Sequence, residues 1–129
     1  MKTDLFRTLL LAIFAIALPL AASAKGELRF ETNKVDFGTV RAEGKSVVVR
    51  FPFTNVGDEP VGIITVSNGG CGCTTPSFPK APIKPGEKGE IVVKFRPLGF
   101  KGEVSRTVKM KVSSQKKRIA LTFTGTVIP

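Results

Sequence analysis

From Lys25 onward, apolar and polar residues alternate at every second position in runs of strand length, and no window repeats apolar residues at helical spacing. The clearest run sets Val47, Val49, Phe51 and Phe53 on one face and Val48, Arg50, Pro52 and Thr54 on the other. Pro52 cannot donate to a sheet ladder, so it predicts an edge or a bulge there. A second run sets Ile91, Val93 and Phe95 against Val92, Lys94 and Arg96. A third sets Val104, Arg106, Val108, Met110 and Val112 against Ser105, Thr107, Lys109 and Lys111. The last sets Ile119, Leu121, Phe123, Gly125 and Val127 against Ala120, Thr122, Thr124 and Thr126. Shorter strands are predicted at 28–31, 37–41 and 61–66.

Turn residues punctuate these runs at Asn55-Val56-Gly57-Asp58, Asn68-Gly69-Gly70, Pro85-Gly86 and Phe100-Lys101-Gly102. Strands therefore arrive about every 8 to 12 residues, the rhythm of two packed sheets. The pattern predicts an all-β chain: an immunoglobulin-like antiparallel β-sandwich of about seven strands, with a Greek-key or up-and-down barrel as the alternative. One domain, residues 25–129, is expected.

Before Lys25 the pattern changes. Lys2 and Arg7 precede an almost wholly apolar stretch from Thr8 to Ala22, and Ala22-Ser23-Ala24 supplies small residues at the positions signal peptidase reads. Residues 1–24 therefore read as a cleavable signal peptide. The run is shorter than the roughly 20 residues a spanning helix needs, and Pro19 interrupts it. No cysteine lies near the cleavage site, so no stable membrane anchor is expected after cleavage. The mature chain is expected in the periplasm or outside a bacterial cell, as a monomer.

Between the short run at 61–66 and the long run that starts at Ile91, Pro76, Pro79, Pro82 and Pro85 recur every third residue. Polyproline II repeats every three residues, so this spacing predicts a stiff extended segment about 28 Å long. It can serve as a ligand for an aromatic groove; the simpler reading is a semi-rigid crossing over the sandwich.

Composition narrows the chemistry. The 129 residues contain no His, Trp or Tyr, which removes Ser-His-Asp and Cys-His catalysis and imidazole metal ligands together. The acidic residues are scattered rather than paired as glycoside hydrolysis requires. No enzymatic activity is expected, and no cofactor. The net charge is +10, of which the signal peptide carries one. Lys80, Lys84 and Lys88, Lys94 and Arg96, Lys109 and Lys111, and Lys116-Lys117-Arg118 form the basic groups. They suit anionic envelope polymers such as lipopolysaccharide, or serve as solvated strand faces that oppose edge-to-edge association. No aromatics interleave with them, so nucleic acid is not an expected partner.

The distinctive chemistry is Asn68-Gly69-Gly70-Cys71-Gly72-Cys73-Thr74-Thr75-Pro76. It places two thiols in a loop, out on a bend that Gly70 and Gly72 are expected to permit. In an exported protein, neighbouring thiols oxidise, so Cys71 and Cys73 are disulfide candidates. A ring closed over one intervening residue gains little loop entropy, which weakens a purely structural motive. Three alternatives stand: Cu(I) held by two thiolates at Cys71 and Cys73, a redox-active dithiol for which Lys80 and Lys84 are the cations nearest in sequence, and pairing with another molecule. Zinc would need further ligands that this His-free chain does not offer. The candidate binding loop comprises Gly70, Gly72, Thr74, Pro76, Pro85 and Gly86.

Read in order, Val35-Asp36-Phe37-Gly38-Thr39-Val40, then Phe51-x-Phe53-x-Asn55-x-Gly57-Asp58-x-Pro60, Cys71-Gly72-Cys73-Thr74, Pro82-Ile83-x-Pro85-Gly86-x-x-Gly89, and Phe123-x-Gly125-x-Val127 resemble the bacterial DUF1573 family. The resemblance covers about residues 27–127. It implies an exported immunoglobulin-like sandwich, related in architecture to cilia-associated Hydin-type repeats and found often in Bacteroidota, with no established activity. The family's signature cysteines fall on Cys71 and Cys73; where the family commonly has Ser before the first cysteine, this chain has Gly70. The function expected is that of an exported, non-enzymatic module binding an unknown protein or envelope polymer. The alternative is a periplasmic thiol-redox or Cu(I)-handling protein.

Overall fold

A computed structural model describes residues 25–129, so the signal-peptide reading of residues 1–24 lies outside the described residues. Eight strands form: β1 (Leu28–Phe30), β2 (Lys34–Arg41), β3 (Val47–Asn55), β4 (Ile63–Val66), β5 (Thr74–Ser77), β6 (Lys88–Phe95), β7 (Gly102–Val112) and β8 (Ile119–Ile128). They make two four-stranded sheets, β1-β3-β6-β5 and β2-β8-β7-β4. The inward side chains of the alternating runs pack between them: Phe51, Phe53, Ile91, Val93 and Phe95 from one sheet, Val108, Met110, Leu121 and Phe123 from the other. Removing this apolar area from water is the dominant favourable term in folding.

An aromatic cluster occupies one end of the core. Phe95 packs against Phe37, Phe100 and Phe123 with ring centroids 5.7, 5.1 and 5.6 Å away. Offset and edge-on pairs of this kind add about 0.5–1.5 kcal/mol each beyond area burial. Gly125 makes room for it, since a Cβ there would collide with the Phe37 ring. Arg106, which alternation puts on the inward face, is half-buried with its guanidinium over Phe100, 5.2 Å from the ring centroid.

The architecture expected from the alternation is present, with three differences in detail. β2 and β8 run parallel, whereas all other neighbouring pairs are antiparallel. The chain leaves β1 at the edge of one sheet and enters β2 at the edge of the other, where the Thr122 N–H donates to the Asn33 carbonyl at 2.8 Å. Side-chain alternation has the same period in either direction and does not encode this. Pro52 marks neither edge nor bulge: β3 lies between β1 and β6, and its register runs unbroken through Pro52 opposite Glu90. β1 ends beside it, with the Glu31 N–H donating to the Pro52 carbonyl at 3.1 Å, so the missing donor falls where β1 stops.

Third, the first proline of the spaced series belongs to a strand. Thr74–Ser77 pairs with β6, Pro76 opposite Val93, at the edge of its sheet. Because Arg96 N–H donates to the Cys73 carbonyl at 2.9 Å, Thr75 and Ser77 face β6, and Thr74 and Pro76 turn their backbone groups to the outer margin. Thr74 N–H is already used by the Cys71 carbonyl at 3.2 Å, and Pro76 has none. That margin therefore has no free N–H over these two residues to offer another strand.

The rest of the connector is sewn down by Asn55, which is 1% exposed. Its Oδ1 accepts from Gly57 N–H at 2.9 Å and Glu27 N–H at 3.3 Å, and its Nδ2 donates to the carbonyls of Glu59 at 2.8 Å and Ile83 at 2.9 Å. Ile83 also exchanges both backbone hydrogen bonds with Val61, at 2.7 and 2.9 Å. One side chain thus ties the turn after β3, the lead into β1 and the proline-spaced crossing together.

Candidate functional site

The loop from β4 to β5 carries the chain from one sheet to the other and presents both cysteines. Asn68 starts it: its Oδ1 accepts from Gly70 N–H at 2.9 Å, and its carbonyl accepts from Cys71 N–H at 3.3 Å. Gly69 and Gly70 hold φ values of +68° and +80°, a region costly for side-chain-bearing residues. A Cβ on Gly69 would also lie 2.7 Å from the Thr107 carbonyl oxygen. The bend therefore rests on Gly69 and Gly70, not on Gly70 and Gly72. Gly72 has no positive φ, and a Cβ there would meet nothing within 4 Å.

Cys71 and Cys73 are joined as a disulfide with Cα atoms 5.2 Å apart. The sulfurs are less exposed than a loop on a bend suggests. Cys73 belongs to the edge of the core at 9% exposure, and Cys71 packs against that core half-buried. Cys73 N–H donates to Cys71 Sγ at 3.2 Å, and Cys73 Sγ lies 3.5 Å from Thr74 Oγ1. Thr74 is itself buried, so it braces the disulfide from inside instead of facing a ligand.

The cations at this site come from the end of β6 and the residue just after it. Thr75 lies opposite Lys94, and the Cys73 carbonyl accepts from Arg96 N–H, so both basic residues stand beside the start of β5. On the other side β3 places Val48 opposite Lys94, with Ser46 preceding the Val47–Phe95 pair. Ser46, Gly72, Cys73, Thr75, Lys94 and Arg96 line an open hollow of about 190 Å³. Lys94 and Arg96 are exposed and make no salt bridge among the described residues, where Arg50–Glu90 is the one ion pair present. Lys80 and Lys84 do not line this hollow: Lys80 sits over the Phe78 ring, 3.8 Å from its centroid, and Lys84 begins the Pro85-Gly86 turn.

That turn lies at the other end of β6. Glu87 N–H donates to the Lys84 carbonyl at 2.9 Å, Gly86 has φ +80°, and Gly86 N–H donates to the Asn55 carbonyl at 2.8 Å. This is the geometry of a type II turn with Pro at its second position. The pairing puts Cys73 beside Arg96 and Asn55 beside Glu87, so about 30 Å of strand separates the two. The structure thus groups Gly72 and Cys73 with residues of β6, keeps Pro76 on the β5 edge, and sets Pro85 and Gly86 apart as a scaffold turn. Lys94 and Arg96 join the cysteines only through the β5–β6 register, which no local pattern announces.

A second hollow, about 540 Å³, lies on the outer face of the other sheet, with Asp36, Thr39, Glu103, Ser105, Thr124 and Thr126 in its lining. No group of three or more His, Cys, Asp or Glu placed to hold a metal occurs among the described residues. As a disulfide, Cys71 and Cys73 offer no thiolate, so Cu(I) binding would require their reduction first.

Two packed sheets with a Cys-x-Cys disulfide bracing the entry to an edge strand define an immunoglobulin-like β-sandwich in architecture. The chain belongs to the family described as protein of unknown function DUF1573, whose model matches residues 28–127. No curated protein matches it. Among solved structures it is similar to a protein of unknown function from Porphyromonas gingivalis W83, at 15% identity and TM-score 0.67, covering 84% of this chain and 50% of that one. It is also similar to the VesB protease of Vibrio cholerae, at 11% identity and TM-score 0.58, covering 81% and 32%. The YadV chaperone matches at 14% identity and TM-score 0.57, covering 79% and 52%. The chain spans about half or less of these proteins, and at such identities they share its fold alone.

Proposed function

We propose that the protein is an exported, non-catalytic binding module of the bacterial cell envelope, engaging its partner on the outer face of the β1-β3-β6-β5 sheet at the disulfide end. The observation that carries this is the hollow beside Cys73, where Lys94 and Arg96 stand in fixed strand register with no carboxylate partner among the described residues. Charges held in register yet unpaired are suited to a ligand that brings the opposite charge. The solved relatives include a chaperone, a protein that by its nature engages other proteins, which is consistent with a binding role for this fold. Export rests on residues 1–24 and on the oxidised cysteine pair.

Capture from envelope extracts tests the reading. Immobilised wild-type domain is expected to retain a partner that a Lys94→Ser/Arg96→Ser variant loses. Equal retention by both would refute binding through this face.

A second reading is supported by the same two cations. In thiol–disulfide exchange, a partner dithiol would leave as a disulfide while Cys71 and Cys73 remain as thiols, and Lys94 and Arg96 would stand beside the negative sulfur formed at each exchange. Catalysed insulin reduction by wild type but not by the Cys71→Ser/Cys73→Ser variant would favour it over the binding module.

A further inference from the structure

We infer that the hollow at the disulfide is a binding site for a phosphoryl group, held by Lys94 and Arg96 with Ser46 and Thr75. This rests on the binding-module reading and names the chemistry of its ligand. Lys94, in β6, and Arg96, just past its end, lie two residues apart on one side of the chain, about 6.6 Å along its direction. Arg96 brings a planar fork that donates two parallel hydrogen bonds to an oxyanion; Lys94 brings a compact point charge. Thr75, in β5, and Ser46, just before β3, line the same hollow from the two sides, so four donor-bearing side chains surround it from three directions. A tetrahedral oxyanion spreads its acceptor oxygens over three dimensions and can meet donors from all three sides, whereas a carboxylate's acceptor sites lie in one plane.

Size and wall chemistry agree. About 190 Å³ accommodates one phosphoryl group with water, and it falls below the roughly 300–1,000 Å³ typical of sites that enclose a whole small molecule. The ligand is therefore gripped by its head. No aromatic ring lines the hollow, so nothing there stacks a base or a sugar. Arg29, Lys117 and Arg118 also line a hollow, of about 650 Å³, but Glu31 and Phe30 share that lining, so a carboxylate already stands among those cations. Lys116, Lys117 and Arg118 lie in the β7–β8 hairpin tip, where Gln115 Nε2 donates to the Lys117 carbonyl at 2.8 Å, and Lys109 and Lys111 lie on the outer face of the other sheet. Neither group shares the hollow with Lys94 and Arg96. The Cys71–Cys73 bridge fixes the Gly72–Cys73 wall against which Lys94 and Arg96 are set.

The phosphoryl group can come from free phosphate or from a lipid headgroup, and the test separates them. Inorganic phosphate is titrated into the labelled domain while backbone amide shifts are followed, with chloride at matched ionic strength as control. The expected result is a saturable shift at Gly72, Cys73, Thr75, Lys94 and Arg96. Lys94→Ser/Arg96→Ser is expected to weaken it at least about tenfold, Thr75→Val about three- to fivefold without altering charge, and Lys109→Ser/Lys111→Ser less than twofold. Vesicles containing phosphatidylglycerol follow. Binding that phosphate displaces assigns the lipid source; phosphate saturation without vesicle binding assigns a soluble one. A shift that does not saturate, that spreads over all the basic residues, or that Lys109→Ser/Lys111→Ser weakens equally would overturn the site. Loss of phosphate binding with partner capture still dependent on Lys94 and Arg96 would overturn this inference and leave the binding module standing.

Discussion

Replacing Asn55 by Ala removes four hydrogen bonds at once while deleting few atoms. The amide answers two N–H donors, of Glu27 and Gly57, and two carbonyls, of Glu59 and Ile83, in a position 1% exposed. Each such bond contributes about 0.5–1.5 kcal/mol net, and a buried group left without a partner costs about 1–3 kcal/mol. The Ile83 pair is fully buried and takes about 1.5 kcal/mol, and the other three are half-buried and take about 1 kcal/mol each, which comes to about 4.5 kcal/mol. A loss of that size removes a large part of the 5–15 kcal/mol typical of single domains. Urea unfolding followed by circular dichroism measures it, as a fall in midpoint at unchanged slope. Asn68→Ala is the internal control: its side chain makes one exposed bond, to Gly70 N–H, and is expected to cost about 0.5–1.5 kcal/mol. An Asn55→Ala loss below 1 kcal/mol would refute the claim that this amide anchors the connector.

Other outcomes follow from the same geometry. Gly69→Ala is expected to cost about 1–3 kcal/mol, because φ is +68° and the new methyl meets the Thr107 carbonyl; Gly72→Ala is expected to stay within about 0.5 kcal/mol, and equal losses in urea unfolding would contradict the placement of the bend. Cys71→Ser/Cys73→Ser opens a ring of three residues, whose loop-closure entropy corresponds to about 1.6 kcal/mol; the variant should still fold, and failure to fold would show that the bridge does more than brace the loop. Gly125→Ala should cost about 1–3 kcal/mol by displacing the Phe37 ring, and recovery in Gly125→Ala/Phe37→Leu checks that cause by thermal melting. Glu90→Gln should change stability by less than about 1 kcal/mol, since the Arg50 and Glu90 side chains are 58% and 40% exposed, and a larger loss would mean that the pair is desolvated.

The long alternating runs were legible because each buries one face and wets the other, so β3, β6, β7 and β8 are written in the period of the sequence itself. β5 was not, because Thr74-Thr75-Pro76-Ser77 carries no apolar alternation and becomes a strand only by pairing with β6. That pairing is also what delivers Lys94 and Arg96 to Cys73, whereas nearness along the chain pointed to Lys80 and Lys84. Likewise Asn55 reads locally as the first residue of a turn. Its partners at Glu27 and Ile83 each lie 28 residues away, a distance over which side-chain type alone says nothing.

The sealed outer margin of β5 bears on how such a domain behaves in a crowded compartment. With proline at one position and the other amide engaged in its own loop, neighbouring copies find no complementary ladder there on which to zip together. High local concentration is then tolerated without fibril growth nucleated over those two positions.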